Sequence, residues 1–171
     1  MDIKYRGYRE SDFEDLCRMV LALYTEDPEG EPVTVDKIRL TVKETREHPD
    51  KLTILIFEHE GIIVGYSILT FFWSNEHGGD IINIDEVFVD PAYRNRGIGT
   101  AFMDNLYERF TTAVALKLEV SPSNHRAKRG YERAGFTDAP NIHMMKVRNN
   151  YPSDESKEHF ECIPVIKGET I

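Results

Sequence analysis

Apolar residues along this chain switch between two spacings, and each switch marks a change of element. Residues 3 to 8, IKYRGY, alternate as a short strand does. Phe13, Leu16, Val20 and Leu23 then recur every three or four positions, the stripe of an amphipathic helix, with Ser11 and Glu14 in capping-box register before it. The turn-rich EDPEGEP (26 to 32) ends that helix. Val35, Ile38 and Val42 predict a second helix from about residue 34 to 48, with Pro49 beyond its end. The period becomes two in KLTILIFEHEGIIVGYSILTFFW (51 to 73), whose β-rich runs are divided by His59, Glu60 and Gly61 as in a hairpin. DIINIDEVFV (80 to 89) predicts another strand, closed by Pro91. Helical spacing returns with Ile98, Ala101, Phe102, Leu106 and Phe110. AVALKLEV (113 to 120) reads as a strand, SPSN as a turn with Asn124 as cap, RAKRGYERAGF as a short helix to Gly135, and NIHMMKV (141 to 147) as the last strand. Helices interleaved with strands predict an α/β layered domain, its sheet mixed because the hairpin must be antiparallel.

Composition narrows the organisation. With 171 residues, 40% hydrophobic and 11% aromatic, the chain can bury one sizeable core. A single domain over residues 1–147 is expected, then an extension over 148–171. That extension is polar through NNYPSDESKE and then offers FECIPVI, which is expected to dock on its own domain or on a second subunit. No apolar run is long enough for a membrane span, and MDIKYRGYRESD lacks the apolar region of a signal peptide, so a cytoplasmic location is the expectation. Cys17 and Cys162 have no metal-ligand spacing and read as packing thiols; His125 and His143 lack partners at ligand spacing, so no metal is expected. A formal net charge of -9 disfavours nucleic acid and anionic membrane as partners and makes a cationic guest the easier one.

Against that acidity, RNRGIG (94 to 99) places two arginines beside two glycines at a strand-to-helix junction. A helix N-terminus offers free N–H groups, glycine lets an anion approach them, and arginine suits phosphate. A tight turn with solvated arginines accounts for the same letters. The motif is neither a Walker loop, because no Gly-Lys-Ser/Thr follows, nor a three-glycine dinucleotide fingerprint.

Taken with its neighbours, the motif acquires a resemblance. IDEVFVDPAY, then RNRGIG and a helix, then LKLEVSPSN, then an A-x-x-x-Y-x-x-x-GF pattern resemble the GNAT superfamily of acetyl-CoA-dependent N-acetyltransferases. The likeness is strong over about residues 80 to 147 and follows only the order of elements over 3 to 73. It implies a GNAT-type fold, a mixed and mostly antiparallel twisted sheet flanked by about four helices. It also implies a coenzyme A pyrophosphate held by Arg94, Arg96, Gly97, Ile98, Gly99 and Thr100, and a pantetheine arm paired with the backbone of Val87, Phe88 and Val89. Asn124, Ala127, Tyr131, Gly135 and Phe136 match the family's downstream pattern, which makes Asn124 and Tyr131 cofactor-facing.

Acetyl transfer to an amine needs a base for the amine, a donor for the developing oxyanion and an acid for the departing thiolate. The resemblance makes Tyr131 the acid, while a core tyrosine is its structural alternative. It puts the base at Asp85 or Glu86. Neighbours on a strand face opposite ways, so one of the two is expected in the acceptor site, with Glu86 favoured for its reach. A β-bulge of the kind common in this strand among family members would supply a backbone carbonyl near the acetyl group. Acetyl-CoA is thus the implied co-substrate and a small amine, polyamine or basic peptide the implied acceptor. Glu26, Asp27, Glu29 and Glu31 offer either acceptor attraction or mere solubility. Arg126, Lys128, Arg129 and Arg133 fall near the adenosine 3'-phosphate side or are solvated helix charges. Tyr66, Phe72 and Trp73 line the acceptor side of the hairpin or belong to the core. Pairing of subunits is common in the family, which leaves a homodimer open. The alternative to an enzyme is a non-catalytic acyl-CoA-sensing or partner-binding module of the same fold.

Overall fold

The computed structural model describes residues 1–28 and 31–147. The chain divides into two compact units, Met1–Thr137 and Asp138–Ile171. The first contains strands β1 (Lys4–Gly7), β2 (Leu52–His59), β3 (Ile62–Ser74), β4 (Gly79–Val89) and β5 (Ala113–Leu118), with helices α1 (Phe13–Glu26), α2 (Val35–Glu47), α3 (Ile98–Arg109) and α4 (His125–Arg133). The strands lie side by side in chain order. β1 to β4 pair antiparallel and β5 joins β4 in parallel, the mixed sheet the alternating periods predicted.

The hairpin between β2 and β3 closes on Glu60 and Gly61, both with positive φ (50° and 80°), as a two-residue turn matched to strand twist requires. Alternation along β2 sends Ile54 and Ile56 to one face and Leu55 and Phe57 to the other. Both faces are covered, which is why this strand reads as an almost unbroken apolar run. On the first face Leu16, Met19 and Val20 of α1 and Ile38 and Val42 of α2 complete the core, together with Tyr66 and Phe88. On the second, Ile98, Phe102, Met103 and Leu106 of α3 pack with Val64, Leu69, Ile82 and Ile84. Each such side chain contributes about 1.5–3 kcal/mol when fully buried. Gly65 of β3 is a space requirement: a Cβ there would lie 2.5 Å from the Phe88 carbonyl oxygen and 2.8 Å from the Phe57 ring.

The start of α1 differs from expectation. Asp12, rather than the Ser11 and Glu14 pair, organises it: its carboxylate accepts the Arg9 N–H at 2.7 Å and takes both ends of the Arg6 guanidinium at 2.7 and 3.0 Å. Arg6 also donates to Glu58 at 2.7 Å, so β1, β2 and α1 share one ionic knot. Thr34 caps α2 and Asn124 caps α4, the latter as predicted.

The strand expected over 141–147 is not formed. Those residues carry neither helix nor strand, and Ile142, Met144, Met145 and Val147 are all exposed. A strand exists only through a hydrogen-bonded neighbour, and this segment has no ladder partner among the described residues. The extension over 148–171, including Cys162, lies outside the described residues, as does Glu29; Cys17 is half-buried against the first core cluster. No helix among the described residues is long and apolar enough to cross a membrane.

Candidate active site

The site begins with an irregularity in β4. Glu86 pairs with Ile68 of β3 and Ile84 pairs with Leu69, leaving Asp85 as an extra residue without an opposite number. This is a β-bulge, and it breaks the strict alternation of side chains. Asp85 and Glu86 both line one cavity, as do all their neighbours from Ile84 to Val89. On the other side of β4 the parallel ladder ends at the Ile84 and Leu118 pair. Beyond it the two strands part, so Val87, Phe88 and Val89 have no β5 partner on that side. A cavity of about 680 Å³ opens between Ile84 to Val89 on one wall and Glu119, Val120, Ser121 and helix α4 on the other.

The two carboxylates have different surroundings. Glu86 accepts the Tyr66 hydroxyl on Oε2 at 2.6 Å and the Tyr24 hydroxyl on Oε1 at 3.0 Å, while its backbone oxygen accepts the Ser67 hydroxyl at 2.7 Å. Burial pushes its carboxyl above the ordinary value, the two phenols pull it back in part, and the Asp85 charge adds to the rise. Asp85 is exposed at its surface, yet the protein around it withholds enough water to raise it as well, and the Glu119 charge adds to the rise. Burial likewise holds the phenols neutral, pushing Tyr24 up to about 12 and Tyr66 further still.

Tyr131 of α4 lines the same cavity, its ring edge-on to Phe136 at 5.9 Å. Burial, then the Asp27 charge, raises its hydroxyl, so it stays protonated at neutral pH. The expected acid and both expected bases are thus brought together around one space.

The turn from β4 to α3 lines another part of the cavity with Arg94, Asn95, Gly97, Ile98, Gly99 and Thr100. Asp90 caps a short 3-10 turn over Pro91–Tyr93, accepting the Ala92 N–H at 3.0 Å. Asn95 (φ 62°) and Gly97 (φ 77°) are left-handed, and Gly97 is the residue from which α3 starts. Because Ala101 makes the first intrahelical bond, to the Gly97 oxygen, the first-turn N–H groups at 98 to 100 have no acceptor within the helix. A Cβ at Gly97 or Gly99 would meet nothing within 4 Å. Glycine serves conformation at 97, and at 99 it leaves the helix start open to approach.

The two arginines diverge. Arg94 donates to the Val89 oxygen at 2.6 Å and to Glu26 at 2.9 Å, with its guanidinium 5.2 Å from the centre of the Phe88 ring. It ties the end of α1 to the mouth of the turn. Arg96 is not among the lining residues; it donates to the Ala92 oxygen at 3.1 Å and stands over Tyr93. Asn124 turns its amide the other way from its cap, donating to Asp27 at 2.9 Å while its oxygen accepts the Ala127 N–H. Ser121 also donates to Asp27, at 2.9 Å.

Several of these partners escaped the sequence reading. Tyr24 continues the α1 stripe one turn past Val20, so its spacing signals burial but not its hydroxyl's partner. Tyr66 is wholly buried under Glu86 rather than lining the acceptor side, and Phe72 and Trp73 are exposed and outside the cavity lining. The acidic turn is partly a fastener: Glu26 and Asp27 hold the two loops that flank the cavity. Of the α4 cations, Arg126 and Arg133 reach the lining.

The parted β4 and β5 thus stand between a helix start and a tyrosine-bearing helix. Residues 15–136 match the model of the Acetyltransferase (GNAT) family, and the chain belongs to that family. It is 28% identical over 135 residues to a mycothiol acetyltransferase of Propionibacterium freudenreichii subsp. shermanii, a match covering 76% of this chain and 41% of the relative. It is 29% identical over 96 residues to an aminoglycoside N(6')-acetyltransferase type 1 of Klebsiella pneumoniae, covering 50% of this chain and 48% of that one. The chain thus spans less than half the length of these two relatives. Among solved structures, a possible acetyltransferase from Clostridium difficile 630 superposes with a TM-score of 0.72 at 24% identity, covering 85% of this chain and 98% of its own. An aminoglycoside N-acetyltransferase in complex with CoA gives a TM-score of 0.67 at 17% identity, covering 86% and 95%. These structural likenesses show the fold.

Proposed function

We propose that this chain is an N-acetyltransferase that moves the acetyl group of acetyl-CoA to a primary amine by direct attack within a ternary complex. The observation that carries the reading is the convergence of Glu86, Asp85 and Tyr131 on the one cavity where β4 loses its β5 partner. The cavity fits the co-substrate in kind. Unpaired β4 backbone at 87 to 89 suits an amide-bearing arm, and the open helix start at 97 to 100 suits a pyrophosphate. Arg94 belongs to that cradle, Asn124 faces the arm, and Arg126 and Arg133 suit a further phosphate. Arg96 supports the turn through Ala92 and Tyr93 rather than from the lining.

When bound, acetyl-CoA supplies a thioester carbonyl for attack. Glu86 takes one proton from the ammonium, directly or through water, to free the amine that bonds to the acetyl carbon; the second proton that nitrogen loses as the amide forms passes through water to the Tyr131 oxygen once that phenol has protonated the sulfur. Charge that builds on the carbonyl oxygen is met by β4 backbone N–H at the parted edge. Tyr131 donates its phenolic proton to the sulfur as the carbon–sulfur bond breaks. A carboxyl raised above its ordinary value is the better proton acceptor near neutral pH, and a phenol kept neutral by burial is an available acid. Asp85, next along the bulge, serves to draw the ammonium in. With Glu26, Asp27 and Glu119 also in the lining, the acceptor is a small amine, a polyamine or a basic peptide.

Thiol release from acetyl-CoA, measured over polyamines, amino acids, aminoglycosides and basic peptides, tests this. Amine-stimulated release is the expected outcome. Acetyl-CoA binding by titration with no release on any amine favours an acyl-CoA-binding module, and no binding at high micromolar concentration removes the cofactor assignment.

A further inference from the structure

We propose that Tyr24 and Tyr66 are positioning residues for the Glu86 base: two phenols, one from α1 and one from β3, fix both oxygens of the carboxylate that takes the acceptor's proton. The inference rests on the acetyltransferase reading. It stands on geometry, with hydroxyl-to-carboxylate distances of 3.0 and 2.6 Å to different oxygens of the same group.

A carboxylate offers about four lone-pair sites, so two phenols leave room for an incoming proton. Neutral donors suit this task. An arginine in their place would hold the carboxylate as firmly but would draw its pKa down and make it a poorer base. The phenols orient Glu86 and favour its ionised form modestly, while burial and the neighbouring Asp85 charge keep it more basic than an exposed glutamate. The groups facing Glu86 are Tyr24 from α1, Tyr66 from β3 and Asp85 from its own strand; Glu119 acts on Asp85, and Asp27 on Tyr131.

The hydroxyls are placed by the core. Tyr66 is wholly buried, its ring stacked on Phe88 with centroids 6.2 Å apart, and Tyr24 packs against the cluster that holds Leu16, Met19 and Val20. The Tyr66 ring cannot swing away without opening packed space, and the Tyr24 ring is held on its core side, so the rigidity of the first core face passes to the carboxylate. The hydroxyls also satisfy a buried polar group, and a purely structural role would end there.

Tyr24→Phe and Tyr66→Phe each delete one hydroxyl and keep the ring. In the full chain, the Glu86 carboxyl is followed by carbon NMR of side-chain-labelled glutamate, and rates are followed against pH with acetyl-CoA and the amine found above. Each variant is expected to titrate Glu86 at higher pH, to move the acid limb of the rate profile the same way, and to lower kcat on the order of tenfold, the worth of one hydrogen bond to a charged group. Acetyl-CoA affinity stays as it was. In a Glu86→Gln background the added Tyr24→Phe change should cost nothing more. If Tyr66→Phe fails to fold, Tyr24→Phe alone carries the test. An unmoved Glu86 midpoint overturns the grip; a moved midpoint with an unmoved acid limb, or an equal loss in the Glu86→Gln background, overturns the positioning role. Absence of turnover on every amine overturns the acetyltransferase reading and the positioning role with it, while the NMR midpoint still reports whether the phenols hold the carboxylate.

Discussion

The two walls of the cavity are built by opposite means. The β4 wall rises from the first core cluster: Glu86 hangs between phenols anchored there, and the bulge sets Asp85 beside it on the same cavity. The facing wall and the turn to α3 are assembled from the ends of elements, namely the residues just after β5, a left-handed glycine, a helix start and a short helix with no fully buried residue. Two fasteners from the end of α1 hold these loops: Glu26 on Arg94, and Asp27 on Ser121 and Asn124. The carboxylate that takes the acceptor's proton needs a fixed position, which packing supplies. Groups that admit and release a long cofactor need backbone that is held in few places.

The sharpest way to break this comparison is at the β4 wall. Glu86→Gln keeps the shape and removes the base, and kcat is expected to fall by about 10²- to 10⁴-fold with acetyl-CoA affinity unchanged. An equal loss of affinity, read by titration calorimetry, would mean that the two walls do not divide the work. Next in size is the foundation of α1. Breaking the mostly buried pair by Asp12→Ala should cost about 3 kcal/mol in a denaturant melt. Burial alone would raise the Asp12 carboxyl, but Arg6 and the Arg9 N–H outweigh it and hold it below the ordinary value. Its stabilisation is therefore present at neutral pH and lost as pH falls through the folded-state value, an acid dependence the Asp12→Ala variant should lack.

Smaller effects belong to the loop wall. Arg94→Ala removes the link from Val89 to Glu26 and a cradle cation, and should weaken acetyl-CoA binding by about 2 kcal/mol. Arg96→Ala, outside the lining, should weaken it by far less, and the reverse order would reverse the assignment of the two arginines. Tyr131→Phe should slow turnover on the order of tenfold, because a thiolate leaves with modest help. Gly97→Ala forces a side chain into the left-handed region at about 1 kcal/mol, with loss of affinity rather than of kcat as its signature.

Much of the fold was legible because period and punctuation are local. The α1 and α2 stripes, the Glu60-Gly61 hairpin and the Asn124 cap all fall where spacing put them. The cap at Ser11 and Glu14 failed because Asp12 is recruited from outside the helix by Arg6, a residue on β1. NIHMMKV alternates as a strand does, yet alternation names no partner, and without one there is no ladder. At the site, Tyr131 and both acidic residues were legible through the order of motifs. The position of the bulge at Asp85 was not legible, because a bulge belongs to the register between strands rather than to either strand's letters.

By itself the sequence determined the elements from β1 to α4, a layered domain with a mixed sheet, and the meeting of a glycine turn, an acidic pair and a tyrosine helix in one family's order. These follow from side-chain period and backbone preference, which act over a few residues. Only the tertiary structure decided that Tyr24 and Tyr66 share one carboxylate, that Arg94 and Arg96 part company, and that the acidic turn fastens the cavity. Apart from the local bonds of the two arginines to their own turn, those contacts join residues tens of positions apart, and the packing that brings them within hydrogen-bond distance is a property of the whole core.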